Sequence, residues 1–224
     1  VNLDPAQRRA LETVLRLLAE ERASVSSVTD DRAWKVHVED SLTGLQVPEL
    51  RSAGRIADVG AGAGFPGLVL AVALPKAQID LIESIGRKTA FIERATAEAG
   101  IGNARAITAR SEDVGRQEPP GGGRDAYDVV TARAVARLST LAELASPLLR
   151  EGGVLIAWKG KRDEEEEAQL SRAVELLAMV PESILGVGNR AGSEHRHLHV
   201  IRKCGATPSD LPRRSGMAKK RPRG

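Results

Sequence analysis

A single cysteine, Cys204, stands in 224 residues, so neither a disulfide framework nor a cysteine-ligated zinc site can organise this chain. Aromatic residues are nearly as scarce, at 2% of the sequence. The core must therefore be aliphatic, within an apolar share of 42% that is ordinary for a globular protein. No stretch approaches the ~18 consecutive apolar residues of a membrane helix, and no secretory apolar segment opens the chain. A cytoplasmic protein with no membrane partner is expected. A large net charge is also missing, at +3, but the charge is unevenly placed: residues 205–224 hold six Lys or Arg against Asp210 alone. Such a basic tail suits a polyanion partner, or serves only to keep the chain soluble.

Glycine is concentrated where the chain turns. Residues 56–67 read I-A-D-V-G-A-G-A-G-F-P-G, with Gly60, Gly62, Gly64 and Gly67 close together. An apolar run ending in such a turn, with Pro66 at the start of the apolar segment 68–74, predicts a strand, a tight turn and a helix. Missing side chains let a ligand approach the backbone at the helix N-terminus. This is the pattern of a nucleotide-type cofactor site.

The flanking sequence supplies the frame. Asp4-Pro5 with Gln7 opens an amphipathic helix reaching about Ala23, and Thr29-Asp30 opens a second in which Trp34, Val38 and Leu42 share a face. His37 and Asp40 lie beside that face, either as a local hydrogen-bonded pair or at the mouth of the site. From residue 55, strand and helix patterns alternate. Strands are expected at 55–59, 78–82, 104–108, 127–131, 154–158, 183–187 and 196–202, with helices at 87–99, at 138–149 (interrupted by Pro147) and after the acidic run 163–167. That acidic run reads as a solvated helix start rather than a metal site. The short link before the last strand requires an antiparallel pairing. The expected organisation is a helical extension at 1–50, an α/β domain at 51–204 and the basic tail at 205–224.

Gly62-x-Gly64-x-x-Gly67 matches the dinucleotide fingerprint, and Glu83 at the end of strand two suits the ribose hydroxyls of NAD and S-adenosylmethionine alike. The leading Asp58, giving D-x-G-x-G-x-G, and the antiparallel last strand resemble class I (Rossmann-like) methyltransferases more than nicotinamide enzymes. The fold class expected is α/β, with a seven-stranded, mostly parallel sheet. Residues 109–113, A-R-S-E-D, stand where such folds bind adenine, unless Glu112 and Asp113 merely cap the next turn.

Together these segments resemble the RsmG family (glucose-inhibited division protein B), which methylates N7 of a guanine in bacterial 16S ribosomal RNA. The similarity rests on H-V-E-D-S-L at 37–42, D-V-G-A-G-A-G-F-P-G at 58–67, E-S-I-G-R-K at 83–88, A-R-S-E-D at 109–113, T-A-R-A at 131–134, W-K-G at 158–160, E-H-R-H-L-H-V-I-R-K at 194–203 and P-R-R-S-G with Lys219-Lys220 in the tail. The chain departs from the family at Ser26-Ser27-Val28, where N-L-T is common, and at its R-P-R-G ending. The resemblance implies S-adenosyl-L-methionine as cofactor, with Gly60, Gly62, Gly64, Phe65, Glu83, Ser84, Ser111, Glu112 and Arg133 around it. It implies 16S ribosomal RNA or the small ribosomal subunit as partner, with His37, Asp40, Lys159, Arg213, Arg214, Lys219 and Lys220 on the RNA side. A structural ion pair is the other reading for Arg133.

The chemistry is compatible with that implication. Guanine N7 carries a lone pair and no proton, so its methylation needs positioning rather than a general base, and no catalytic acid or base is assigned. The N-P-P-Y or D-P-P-Y box of exocyclic-amine methylases is absent after strand four, and Cys204 is far in sequence from the cofactor loops, unlike a cytosine C5 nucleophile. His195, His197 and His199 align on one strand face without an accompanying carboxylate or cysteine pattern, so no metal is expected. A monomer is expected.

Overall fold

The computed structural model describes residues 2–21, 25–188 and 195–224. Helix α1 (Pro5–Glu20) begins at Asp4, whose carboxylate accepts from the Ala6 and Gln7 N–H groups while the Gln7 side chain accepts from the Asp4 N–H. The expected end of this helix, near Ala23, lies outside the described residues. Trp34–Glu39 is a π-helical stretch that runs into α2 (Asp40–Leu42), a 3-10 turn (Thr43–Gln46) and α3 (Pro48–Ser52). The four-residue spacing of Trp34, Val38 and Leu42 that predicted one regular helix is thus accompanied by a widened turn, a feature common near functional sites.

Seven strands follow: β1 (Arg55–Val59), β2 (Gln78–Glu83), β3 (Ala104–Thr108), β4 (Tyr127–Arg133), β5 (Leu149–Lys159), β6 (Met179–Gly186) and β7 (His197–Lys203). Between them lie α4 (Gly67–Ala73), α5 (Gly86–Ala99), α6 (Ser111–Val114), α7 (Leu138–Ala145) and α8 (Glu164–Ala173), and α9 (Met217–Lys220) comes last. The sheet order is β3-β2-β1-β4-β5-β7-β6, and β7 runs antiparallel to both neighbours. The hairpin-like end expected from the short link is present, with β7 inserted between β5 and β6. The turn expected before it falls largely outside the described residues. Helix α7 stops at Ala145 rather than continuing to 149, because Pro147 has no N–H to extend it, and Leu149 already pairs with Tyr127 in the sheet.

Strand alternation divides the core into two layers. Ile56, Val129, Val154 and Ile156 face α1, α4 and α5, while Ala57, Val130, Leu155 and Ala157 face α7 and α8. An irregularity between Tyr127 and Val129 shifts the parity of β4, so Tyr127 belongs to the second layer. The few aromatics are placed accordingly: Phe65, Phe91, Tyr127 and Trp158 are buried. Trp158 anchors the N-terminal extension, donating its indole N–H to the Asp40 carbonyl at 2.9 Å and the Thr43 hydroxyl at 3.1 Å. No helix among the described residues is long and apolar enough to cross a membrane.

Candidate cofactor and nucleic-acid site

The turn after β1 passes through three glycines with positive φ: Gly60 at 68°, Gly62 at 60° and Gly64 at 92°. Side chains are strained there, and at Gly64 a Cβ would also come within 2.4 Å of Leu68 Cδ1. Asp58, 1% exposed, holds the turn against α4. One of its oxygens accepts from the Gly67 N–H at 2.8 Å and the other from the Thr131 hydroxyl at 3.0 Å. Burial pushes its carboxyl up to about 7, and those two donors pull in the opposite direction.

Beside this turn opens a cleft of about 150 Å3 that is continuous with solvent. Glu83 reaches it from the end of β2. Its carboxylate accepts from the Gly62 N–H at 3.1 Å and the Ile85 N–H at 2.9 Å, which ties the acid to the glycine turn. Ser84, Arg110, Ser111 and Glu112 also line the cleft. The C-terminal segment, expected only as a basic tail, forms part of the wall through Gly216, Ala218 and Lys219. The Gly216 N–H donates to Glu112 at 2.7 Å, and the Ser111 hydroxyl donates to its other oxygen at 3.3 Å. The cleft fits an S-adenosyl nucleoside: carboxylates stand at two places, and a Cβ on Gly62 would meet only open space within ordinary contact range, apart from Gly60 O at 3.9 Å.

At the other end of the turn, His37 stacks on Phe65 with ring centroids 4.4 Å apart and planes 13° from parallel. His37 Nε2 meets the Val28 carbonyl at 2.9 Å. A carbonyl only accepts, so Nε2 carries the proton and Nδ1 accepts from Arg133 at 3.3 Å. Burial lowers the pKa of this imidazole, and Arg133 acts the same way. His37 and Asp40 therefore do not bond to each other as a local pair; both gather on Arg133. Arg133 donates to Asp40 at 2.9 Å and to the Val36 carbonyl at 2.9 Å, so the ion pair considered for it is present. Asp40, 0% exposed, also receives two bonds from Arg196, at 2.8 and 2.9 Å. Sequence reasoning missed Arg196. Its only local signal was its place between His195 and His197 at the start of the last strand.

The cations expected on the RNA side divide into two sets. Lys159 is paired with Glu166 at 2.6 Å, and Arg213 makes a two-pronged pair with buried Glu143, both bonds 2.6 Å. Arg214, Lys219 and Lys220 are exposed and have no ion-pair partner among the described residues. The aligned histidines also have internal partners. His197 Nδ1 donates to the His195 carbonyl at 3.0 Å, so its Nε2 accepts from His199 Nε2, also at 3.0 Å. Glu167 completes a group whose ligand atoms lie within 4.8 Å, but its carboxylate is bound by Arg162 at 2.8 and 2.5 Å. Burial and the neighbouring His197 push His199 down to about 4.

Comparison with known proteins agrees with this arrangement. The family model described as rRNA small subunit methyltransferase G (GidB) matches residues 8–199. Ribosomal RNA small subunit methyltransferase G of Roseiflexus castenholzii is 39% identical over 96% of this chain and 92% of its own length. The protein of the same name from Moorella thermoacetica is 35% identical over 99% and 92%. Among solved structures, a predicted O-methyltransferase of Agrobacterium tumefaciens superposes with a TM-score of 0.57 at 22% identity, covering 75% of this chain and 81% of that one, which supports the fold. With its glycine turn, two acidic cleft residues and near full-length similarity, this chain belongs to the GidB family of small-subunit ribosomal RNA methyltransferases.

Proposed function

We propose that the protein transfers a methyl group from S-adenosyl-L-methionine to N7 of a guanine in bacterial small-subunit (16S) ribosomal RNA, acting as a cytoplasmic monomer without a metal. The observation that carries this reading is the cleft lined by Gly60 of the glycine turn, Glu83 and Glu112, with Glu83 tied to the turn through the Gly62 N–H. Bound there, S-adenosyl-L-methionine supplies an electrophilic sulfonium methyl. Gly62 would admit it to the backbone, with Gly60 and Gly64 holding the turn in its positive-φ path against Val135 and Leu68; Glu83 with Ser84 would accept from the ribose hydroxyls, and Ser111 with Glu112 would border the adenine. Phe65 and Arg133 border the amino-acid end.

The His37–Phe65 stack and the Arg133–Asp40–Arg196 network build the floor on which a base is positioned. His37 is held as a neutral hydrogen-bonding group rather than a free base, which suits a lone-pair nucleophile that has no proton to lose. On this reading the extension (1–50) shapes the acceptor pocket, the α/β domain (51–204) holds the cofactor, and Arg214, Lys219 and Lys220 in segment 205–224 meet RNA phosphates. Lys159 and Arg213 act by holding their carboxylate partners in place.

The test is labelled methyl transfer to small-subunit ribosomal RNA lacking the modification, with the product mapped to base and atom. Label at guanine N7 supports the reading. Label on another atom, or tight NAD binding with none for S-adenosylhomocysteine, overturns it.

A further inference from the structure

The mouth of the cofactor cleft carries charge that the fold does not neutralise. Arg110, after β3, and Lys219, in α9, both line it, and neither side chain has an ion-pair or hydrogen-bond partner among the described residues. Exposed Arg137, at the start of α7, and exposed Arg214 and Lys220, in the C-terminal segment, are likewise unpaired among the described residues. The acidic groups of the same elements are already engaged. Glu112 accepts from Gly216, Asp113 is bound by Arg116 and Ser215, and Glu143 is bound by Arg213. Glu83 and Glu112 line the cleft but are buried, held by backbone N–H groups, so the exposed, unpaired charges at the opening are cationic.

The segment bearing most of these cations is itself a wall of the cleft. It is tied down by the Arg213–Glu143 pair, by the Gly216 N–H on Glu112, by the Thr140 hydroxyl on the Ala218 carbonyl at 3.2 Å, and by the burial of Leu211 and Ala218. A ligand that fixes this wall from inside the cleft also fixes Lys219 and its neighbours. A polyanion that fixes the cations from outside also fixes the wall. Coupling of this kind must be reciprocal.

We propose that the RNA backbone crosses the mouth of the cofactor cleft on Arg110 and Lys219, flanked by Arg137, Arg214 and Lys220, so that bound RNA closes the cleft and the two ligands bind synergistically. This rests on the functional reading above and adds a docking path and an order of events. The cofactor enters before the RNA, and the product S-adenosylhomocysteine leaves after it.

The experiment measures the affinity and release rate of S-adenosylhomocysteine on the full chain, with and without saturating small ribosomal subunits that lack the modification. The wild type is expected to bind it at least about fivefold more tightly, and to release it more slowly, when subunits are present. In the double variant Arg110→Gln/Lys219→Gln, compared with its own subunit-free affinity, that ratio falls to near one. The charge-keeping double variant Arg110→Lys/Lys219→Arg restores it. A ratio of one in the wild type, at subunit concentrations where binding is complete, overturns the proposal, as does a ratio unchanged in the Gln variant. Failure of subunits to bind or accept methyl groups overturns the functional reading instead.

Discussion

Asp58 shows how one side chain sets the cofactor turn. Its two oxygens face two donors, the Gly67 N–H and the Thr131 hydroxyl, in a site closed to water. An asparagine there turns an NH2 toward one of them, so Asp58→Asn is expected to lose about 1–3 kcal/mol in urea denaturation and to weaken S-adenosylhomocysteine binding. Titration at Asp58 and at His199 acts with opposite sign on stability. Asp58 is raised from 3.8 to about 7, so its contribution is present below 3.8 and lost as pH rises toward 7. His199 is lowered from 6.5 to about 4, so its contribution is present above 6.5 and lost as pH falls toward 4. Replacing His199 by Val isolates the second effect. Relative to that variant, the wild type should lose at most about 1.4 kcal/mol per pH unit between those two values. Parallel stability profiles for the two proteins would count against a depressed His199.

At the scale of elements, the N-terminal extension is docked by close backbone approach rather than by apolar area alone. Gly44 lies against the Trp158 ring, and a Cβ there would fall 2.4 Å from Cζ2. Trp158 is fully buried and bonded to both Asp40 and Thr43, so it has little freedom to yield. Gly44→Ala is therefore expected to cost about 1–3 kcal/mol. The loss should appear as faster hydrogen exchange in 34–46 while β1 and β4 stay protected. Uniform loss of protection across the sheet would show that the extension and the sheet unfold as one unit.

For the whole molecule, the C-terminal segment joins two roles that sequence reading kept apart. Lys220 is exposed and unpaired among the described residues, so Lys220→Gln should lower the slope of log affinity for RNA against log salt by about one and leave folding unchanged. Arg213→Gln should behave differently. It strands Glu143, which is 2% exposed, and the expected outcome is a lower melting temperature. If both variants changed only the salt slope, the packed segment would have no structural part to play.

The βα alternation, the glycine turn, Glu83 and the antiparallel last strand were legible because they are written in local signals: period-two and helical apolar spacing, turn residues and helix starts. Apolar spacing and turn residues were enough to place the strands, the cofactor turn and the resemblance that names the chemistry. Which charges are free depends on contacts made across the fold. Arg213 and Lys159 looked like phosphate contacts until Glu143 and Glu166 stood beside them, and the buried Lys203 ammonium donates to the Ser146 carbonyl at 2.5 Å and the Thr207 hydroxyl at 2.7 Å. Asp40 gathers Arg133 and Arg196 across separations of 93 and 156 residues. A charge's partner depends on distance in space, and no local pattern in the chain encodes pairings that the sheet order alone brings together.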